Sequence, residues 1–465
     1  MSHDIQPRDD DAKKFGAEPT EVGGDDYEND KAGLQRSTTI TTLEVTEEGV
    51  PAPVPGDIGP PPDGGFTAWA CAGSASFVTF CLMGFVCSFG QLQEYYLTHQ
   101  LANYSKSTVA WIGSVQATEV FIFSVIWGRI FDAHGARPLV LAGTTLSVVA
   151  VVAMGFCKEY YQIFLSHFLF GFASGMIWPT VTAVGGHWFS TRRGTAIGLI
   201  VGGSGGGGIV YPIMFKHLFQ RMSFRNSLLI VAAMNAALMF PAWFLLKSRL
   251  PKRKPIALRR LAHPWHDKQY AFFAIGCGFY MFNWMSPMFN APIISRANNA
   301  SPAVYDYSVA IVSAGGLGGR TLSGWMADKL GVWNVFGTTS FFTAVVLFGF
   351  FVPSPIPNGA LVAGFVLYGW VSGAWLTLVS AVVAKISPPE EIGIRIGMAW
   401  SICGPFMVAG PVICGALIQV DDNKFGYAGI FCGFTFLIAS FLAVGPRMVQ
   451  VIRGFITRKP DLSPA

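Results

Sequence analysis

The stretch SAGGLGGRTLSG at 313–324 sets Arg320 among glycines inside an apolar run. A guanidinium keeps its charge and grips a carboxylate through two parallel N–H bonds, so Arg320 is a candidate for binding an anionic cargo. The competing reading is a long side chain that carries its charge out to water. Glu119, in WIGSVQATEVFIF, is the one carboxylate deep in its apolar stretch. A carboxylate removed from water can take up a proton reversibly near neutrality. His167, in FLSHFLFG, and His187, in GGHWFS, titrate in the same range and are further proton-coupling candidates. In GFYMFNWMSPMFNAP, 278–292, Tyr280, Asn283 and Trp284 share one helical face. That face can stack on and hydrogen-bond a flat or carboxylated molecule, or it can be ordinary aromatic packing.

A second chemistry recurs. GRIFDAHGAR at 128–137 and GWMADKLGVW at 324–333 both contain Gly-x-x-x-Asp-x-x-Gly, 196 residues apart. Gly128 and Gly324 permit close helix approach. Gly135 and Gly331 suit a turn at positive φ. Asp132 and Asp328 can pair with a basic group or accept N–H bonds from another helix start. With Arg129 and Arg193 as nearby basic groups, they form an expected gating set that holds one side closed.

These residues need helices to carry them. The chain has 465 residues, 52% hydrophobic and 13% charged, with a mean hydropathy of +0.45. A soluble domain carries about 25% charged residues. Twelve stretches approach the roughly 20 apolar residues that span a bilayer. They are 66–90, 108–131, 138–157, 161–185, 195–218, 226–246, 269–290, 305–326, 332–352, 358–383, 395–418 and 425–446. The expected fold is an all-α polytopic membrane protein with 12 transmembrane helices in two six-helix halves, 61–246 and 269–446.

Residues 1–60 hold 14 acidic and 5 basic residues and read as a disordered cytosolic tail without a signal peptide. The central loop, 247–268, carries eight Lys and Arg. An amphipathic helix within 252–263 can lie on the membrane. With the 447–465 tail, this charge places both termini in the cytosol and calls for anionic lipid headgroups, not nucleic acid. The eight cysteines show no metal or disulfide spacing. No catalytic constellation and no ATP-binding motif stand out, so no enzyme activity, cofactor or metal is expected. A monomer in the plasma membrane is the default expectation.

PPDGGFTAWACAG at 61–73, the two turn motifs and WFSTRRGTAIGLIVGGSGGG at 188–207 resemble the major facilitator superfamily. Within it they resemble the monocarboxylate transporter family, most closely its fungal members, over about 61–447. The resemblance implies an alternating-access carrier for small organic anions or metabolites, often proton-coupled, and implies that Arg320 binds a substrate carboxylate. Animal members of that family carry a lysine at the place near Gln91 and an aspartate at the place of Gly316, and both are missing here. Gln91 is left as a candidate contact, and proton symport by the animal scheme is in doubt. The main expectation is a carrier of a small carboxylated metabolite. The alternatives are a carrier or exporter of a neutral or aromatic metabolite, such as a vitamin or secondary product, without proton coupling, and a non-transporting membrane sensor or scaffold.

VGGSGGGGIVYP, 201–212, has six glycines in seven residues. No phosphate-loop Lys follows, and a floppy linker at membrane depth would expose backbone to lipid. Gly202, Gly206 and Gly208 are therefore expected to present bare backbone to a partner helix. Gly404–Pro405 and Gly410–Pro411 are expected to kink the eleventh stretch.

Overall fold

The computed structural model describes residues 61–249, 263–353, 355–387, 392–421 and 424–456. The expected 1–60 tail, most of the basic loop and its amphipathic helix, and 457–465 lie outside the described residues. The first half of the chain supplies α1 (Phe66–Cys87), α2 (Phe89–Thr98), α3 (Lys106–Ile122), α4 (Ser124–His134), α5 (Ala136–Met154), α6 (Tyr160–Trp188), α7 (Arg193–Arg221) and α8 (Phe224–Leu245). The second half supplies α9 (Lys268–Trp284), α10 (Ser286–Phe289), α11 (Ala291–Ala297), α12 (Pro302–Leu330) and α13 (Val332–Val346). A π turn (Leu347–Phe351) follows, then α14 (Asn358–Ile386), α15 (Ile392–Val420) and α16 (Gly426–Ile456).

Apolar length makes these helices, and local polar groups set their starts. Ser105 Oγ accepts the Thr108 N–H at 3.1 Å. Glu159 and Gln162 form a reciprocal capping box at α6. Asp267 Oδ1 accepts from Gln269 N at 3.0 Å and Tyr270 N at 3.4 Å. The two motif turns need glycine: Gly135 and Gly331 have φ of +82° and +89°.

Nine of the described helical stretches are long and apolar enough to cross a membrane, and ten if α3 and α4 are one span bent by 41°. This is a multi-pass membrane protein. The count falls below twelve for physical reasons. Residues 269–290 are interrupted at Met285 and Asn290, beside Pro287, which leaves a 17-residue helix. Helix α12 is continuous but rich in glycine and carries Arg320. Helix α15 holds Pro405 and Pro411 without a break, and α16 runs past the expected edge at 446 to Ile456.

Helix α7 is packed between α1 and α12, while α3 and α4 lie against α15. The halves of the chain therefore meet along two seams, α7–α12 and α3/α4–α15.

Candidate functional site

The glycine run serves two faces of α7. Towards α1, a Cβ at Gly203 would fall 2.0 Å from Ser76 O, and one at Gly207 2.2 Å from Phe80 O. Towards α12, a Cβ at Gly198 would fall 2.7 Å from Arg320 O, one at Gly202 2.8 Å from Thr321 Cγ2, and one at Gly205 2.7 Å from the Leu317 Cα. At Gly208 it would meet Ser313 Oγ at 2.7 Å. Gly206 differs from expectation. Its Cβ would meet the Phe80 ring at 3.5 Å, an ordinary contact. The tightest approaches belong to Gly203 and Gly207, one helical turn apart, which spacing alone did not single out.

At the end of the bundle where the Gly331 turn lies, two carboxylates grip one segment. Asp63 Oδ1 accepts the N–H of Ser190 at 2.5 Å and of Thr191 at 2.8 Å. Asp328 accepts the N–H of Gly194 and of Thr195, each at 2.8 Å, and the Thr195 hydroxyl at 2.7 Å. Asp328 thus caps α7 from the far side of the seam, where anionic charge is favourable. Arg193 sits between them, attracted by both charges, with its Nε donating to Phe189 O at 3.3 Å. Gly324 lets the backbones meet here: a Cβ would lie 2.1 Å from Gly194 O. Asp63 was legible only as part of a motif; its role needs the fold to bring 63 beside 190. Desolvation is the largest single influence on its carboxyl and pushes its pKa up, yet N–H bonds from Ser190, Thr191 and Arg192 together hold it below the ordinary 3.8. A depressed carboxyl contributes above its unfolded pKa and fails only as pH falls through the folded one, so this grip persists at neutral and mildly acid pH.

Asp328→Asn removes the charge at the α7 start and keeps one acceptor oxygen. A lost cap of this kind is worth about 0.5–2 kcal/mol. We expect several-fold faster thiol labelling of a Thr321→Cys reporter in the variant; an unchanged rate would detach Asp328 from closure. Gly128, Arg129 and Asp132 lie on α4, which packs on α15, and Arg129 and Asp132 are both engaged with neighbours.

Further along the α7–α12 seam is Arg320, with 7% of its surface exposed. A Cβ at Gly205 would touch its Nη1 at 2.8 Å and one at Gly316 at 3.2 Å. Its carbonyl accepts the Thr377 hydroxyl of α14 at 3.3 Å. Among the described residues no carboxylate is paired with it, and its Nε has no hydrogen-bond acceptor. A buried cation without an acid is costly in any protein and more so at membrane depth.

The remaining candidates lie elsewhere. Tyr280 is packed among α13, α14 and α16: its hydroxyl meets Thr343 Oγ1 at 2.8 Å, its ring stacks on Trp375 at 3.8 Å, and Phe436 lies at 4.6 Å. Asn283 Nδ2 donates to Thr435 at 2.9 Å, and its Oδ1 accepts from Ser286 and Cys414 at 3.2 Å each. The Trp284 carbonyl accepts from Tyr368 at 2.6 Å. The polar groups of Tyr280 and Asn283 are thus satisfied within the second half of the chain rather than gathered at Arg320. Gln91 lines a surface recess with Lys216, Asp306 and Tyr307, where Lys216 and Asp306 bridge α7 and α12 at 2.8 Å.

Glu119, 4% exposed, lies against Gly171 of α6, and its Oε2 has no partner among the described residues. His167 bridges Gln116 Oε1 at 2.7 Å and the Tyr96 hydroxyl at 3.0 Å, both neutral partners. His187 stacks on Phe131 at 5.3 Å. Two residues passed over in the sequence also stand at a seam: Trp178 of α6 and Trp400 of α15, with ring centroids 6.2 Å apart.

The family described as Major Facilitator Superfamily matches residues 68–282 and 271–460. The chain is 32% identical over 391 residues to MFS-type transporter 1 of an Ophiocordyceps species, covering 83% of this chain and 86% of that protein. It is 32% identical over 394 residues to the aspyridones efflux protein apdF of Emericella nidulans, covering 84% and 80%. To the fujikurins efflux protein of Gibberella fujikuroi it is 31% identical over 406 residues, covering 85% and 86%. The fold resembles the crystal structure of the human organic anion transporter MFSD10 (TETRAN), with TM-score 0.67 and 14% identity over 82% of this chain and all of that one. The long matches to named transporters indicate transport rather than catalysis, and the chain belongs to the major facilitator superfamily.

Proposed function

We propose that the chain exports a small secondary product bearing an acidic or strongly accepting oxygen, by alternating access between two six-helix halves. In this reading α9–α11 and α12 complete twelve crossings. Both termini are cytosolic, and the protein works in the plasma membrane as a monomer. The observation that carries the proposal is Arg320, a buried guanidinium at the seam with no acid among the described residues to neutralise it. The names of the aspyridones and fujikurins efflux relatives favour a secondary product over a simple carboxylated metabolite. Gly316 and Gln91, standing where the monocarboxylate transporter scheme needs an aspartate and a lysine, weigh the same way. The test is a proteoliposome screen over mono- and dicarboxylates and aromatic secondary products, with and without a pH gradient. Uptake of aromatic acids is the expected result, and preference for lactate-sized acids would overturn it.

Proton coupling is a second reading, favoured by the unpartnered Oε2 of Glu119. It predicts that a pH gradient accelerates transport and that Glu119→Gln removes the acceleration while leaving gradient-free exchange.

Gly316 also supplies a prediction. A Cβ there would lie 3.2 Å from Arg320 Nη1, so Gly316→Asp puts a carboxylate beside the guanidinium. We expect anion affinity to fall by about tenfold or more at pH 7 through competition for the cation, and mild acidification not to restore it, because the guanidinium holds the new carboxylate ionised. Equal affinity in wild type and variant would show that Arg320 does not hold the anion.

A further inference from the structure

Three aromatic rings from three helices meet at the α3/α4–α15 seam. Phe121 of α3 and Trp178 of α6 come from the first half of the chain, and Trp400 of α15 from the second. Ring centroids lie 5.9 Å apart for Phe121–Trp178, 5.1 Å for Phe121–Trp400 and 6.2 Å for Trp178–Trp400. Both tryptophans are fully buried. A tryptophan N–H is a donor only, and when buried it normally finds an acceptor. Trp400 Nε1 does, donating to Ser380 Oγ of α14 at 3.3 Å. Trp178 Nε1 has none among the described residues.

The placement of Trp178 is set by α6. Gly171 and Gly175 bring α6 against α3, where Cβ atoms would fall 2.6 Å from Glu119 Oε2 and Glu119 O respectively. Trp178 continues that face one turn on, reaching past Phe121 to the opposite half. This cluster is also tied to the Arg320 seat. On α14, Thr377 donates to the Arg320 carbonyl at 3.3 Å, and Ser380, three residues later, accepts from Trp400. Three residues, about 4.5 Å of rise, separate these two anchor points on α14. Helix α14 therefore touches the backbone of Arg320 at the α7–α12 seam and the ring of Trp400 at the α3/α4–α15 seam.

We infer that Trp178, Trp400 and Phe121 form the aromatic subsite of the cargo path, and that the cargo is a planar aromatic or conjugated acid. Its acidic group meets Arg320, its ring lies among these three side chains, and an oxygen on the ring's far edge accepts from Trp178 Nε1. The inference rests on the carrier reading above and narrows its substrate class. When the halves part, the rings contributed by opposite halves separate, which opens a slot of the thickness of a flat ring. A saturated, puckered ring of equal charge fits such a slot worse and loses the face-on contact.

The test measures equilibrium binding to the purified full chain in nanodiscs with three probes: 2-naphthoate, decahydro-2-naphthoate and 6-acetyl-2-naphthoate. Wild type is expected to bind 2-naphthoate about five- to tenfold tighter than the saturated analogue. Trp400→Leu should erase that preference. Trp178→Phe keeps a ring and loses the N–H, so it should weaken 6-acetyl-2-naphthoate by about five- to tenfold while leaving 2-naphthoate within about twofold. Arg320→Gln should weaken all three probes together. Equal wild-type affinity for the aromatic and saturated acids, with Arg320→Gln weakening both, overturns the aromatic subsite and keeps the carrier reading. Probe binding that ignores Arg320→Gln overturns the carrier reading itself. An unchanged 6-acetyl-2-naphthoate affinity in Trp178→Phe overturns the donor role of Nε1.

Discussion

Gly203→Leu and Gly207→Leu are expected to leave little folded protein, and alanine at either position to lower the melting temperature clearly. Even a methyl group at Gly203 would sit 2.0 Å from Ser76 O, and one at Gly207 2.2 Å from Phe80 O and 2.8 Å from the Gly84 Cα. The obstacles are backbone atoms, so no rotamer change relieves them and α1 must move away from α7. Overpacking a close-packed core costs about 1–3 kcal/mol, and these contacts call for the upper part of that range or beyond. Gly206→Ala should behave in the opposite way. Its methyl reaches the Phe80 ring at 3.5 Å, and replacing a helical glycine with alanine gains about 0.5–1 kcal/mol. Thermal unfolding in detergent of the three alanine variants checks both signs. A Gly207→Ala protein as stable as wild type would contradict the packing of α1 on α7.

Arg320→Gln is expected to raise stability and remove cargo binding at once. The guanidinium is buried with no paired acid among the described residues, so the empty carrier bears its desolvation without a matching Coulomb gain. Neutralising it removes that desolvation and should raise the melting temperature of the empty protein. Binding of an acidic aromatic probe should fall about a hundredfold or more, as for a lost buried charge-assisted pair. A structural arginine would move both quantities downward together. Arg320→Lys, which keeps the charge and loses the planar fork, should fall between the two in affinity.

Much of this organisation is readable in the residues because it depends on local rules. Gly135 and Gly331 announce turns at positive φ through spacing alone, and a glycine run in an apolar stretch has few physical uses other than close packing. Arg320 is conspicuous because charge is rare in such company. What escaped depends on tertiary closure. Asp63 and Ser190 are neighbours only once α1 and α6 have packed. Tyr280, Asn283 and Trp284 follow a helical face, but periodicity says which residues share a face and not which neighbour that face meets; here Thr343, Trp375 and Thr435 answer it. Trp178 and Trp400 are separated by more than 200 residues, and 13 tryptophans make any one of them unremarkable in the sequence. Gly206 departs from its expected contact for a related reason, since i, i+4 spacing selects a helix stripe and cannot say which stripe a partner backbone occupies.

The central claim is that an organic acid crosses the membrane through a seam where Arg320 receives it. Counterflow measures this most directly: proteoliposomes holding purified chain are preloaded with unlabelled 2-naphthoate, and entry of labelled 2-naphthoate is followed. Arg225→Gln serves as the control, because Arg225 is a basic residue outside the seam, lying over the Phe156 ring at 4.3 Å. Wild type and Arg225→Gln should show rapid exchange, and Arg320→Gln should be flat while melting no lower than wild type. Exchange by Arg320→Gln at the wild-type rate would contradict the account.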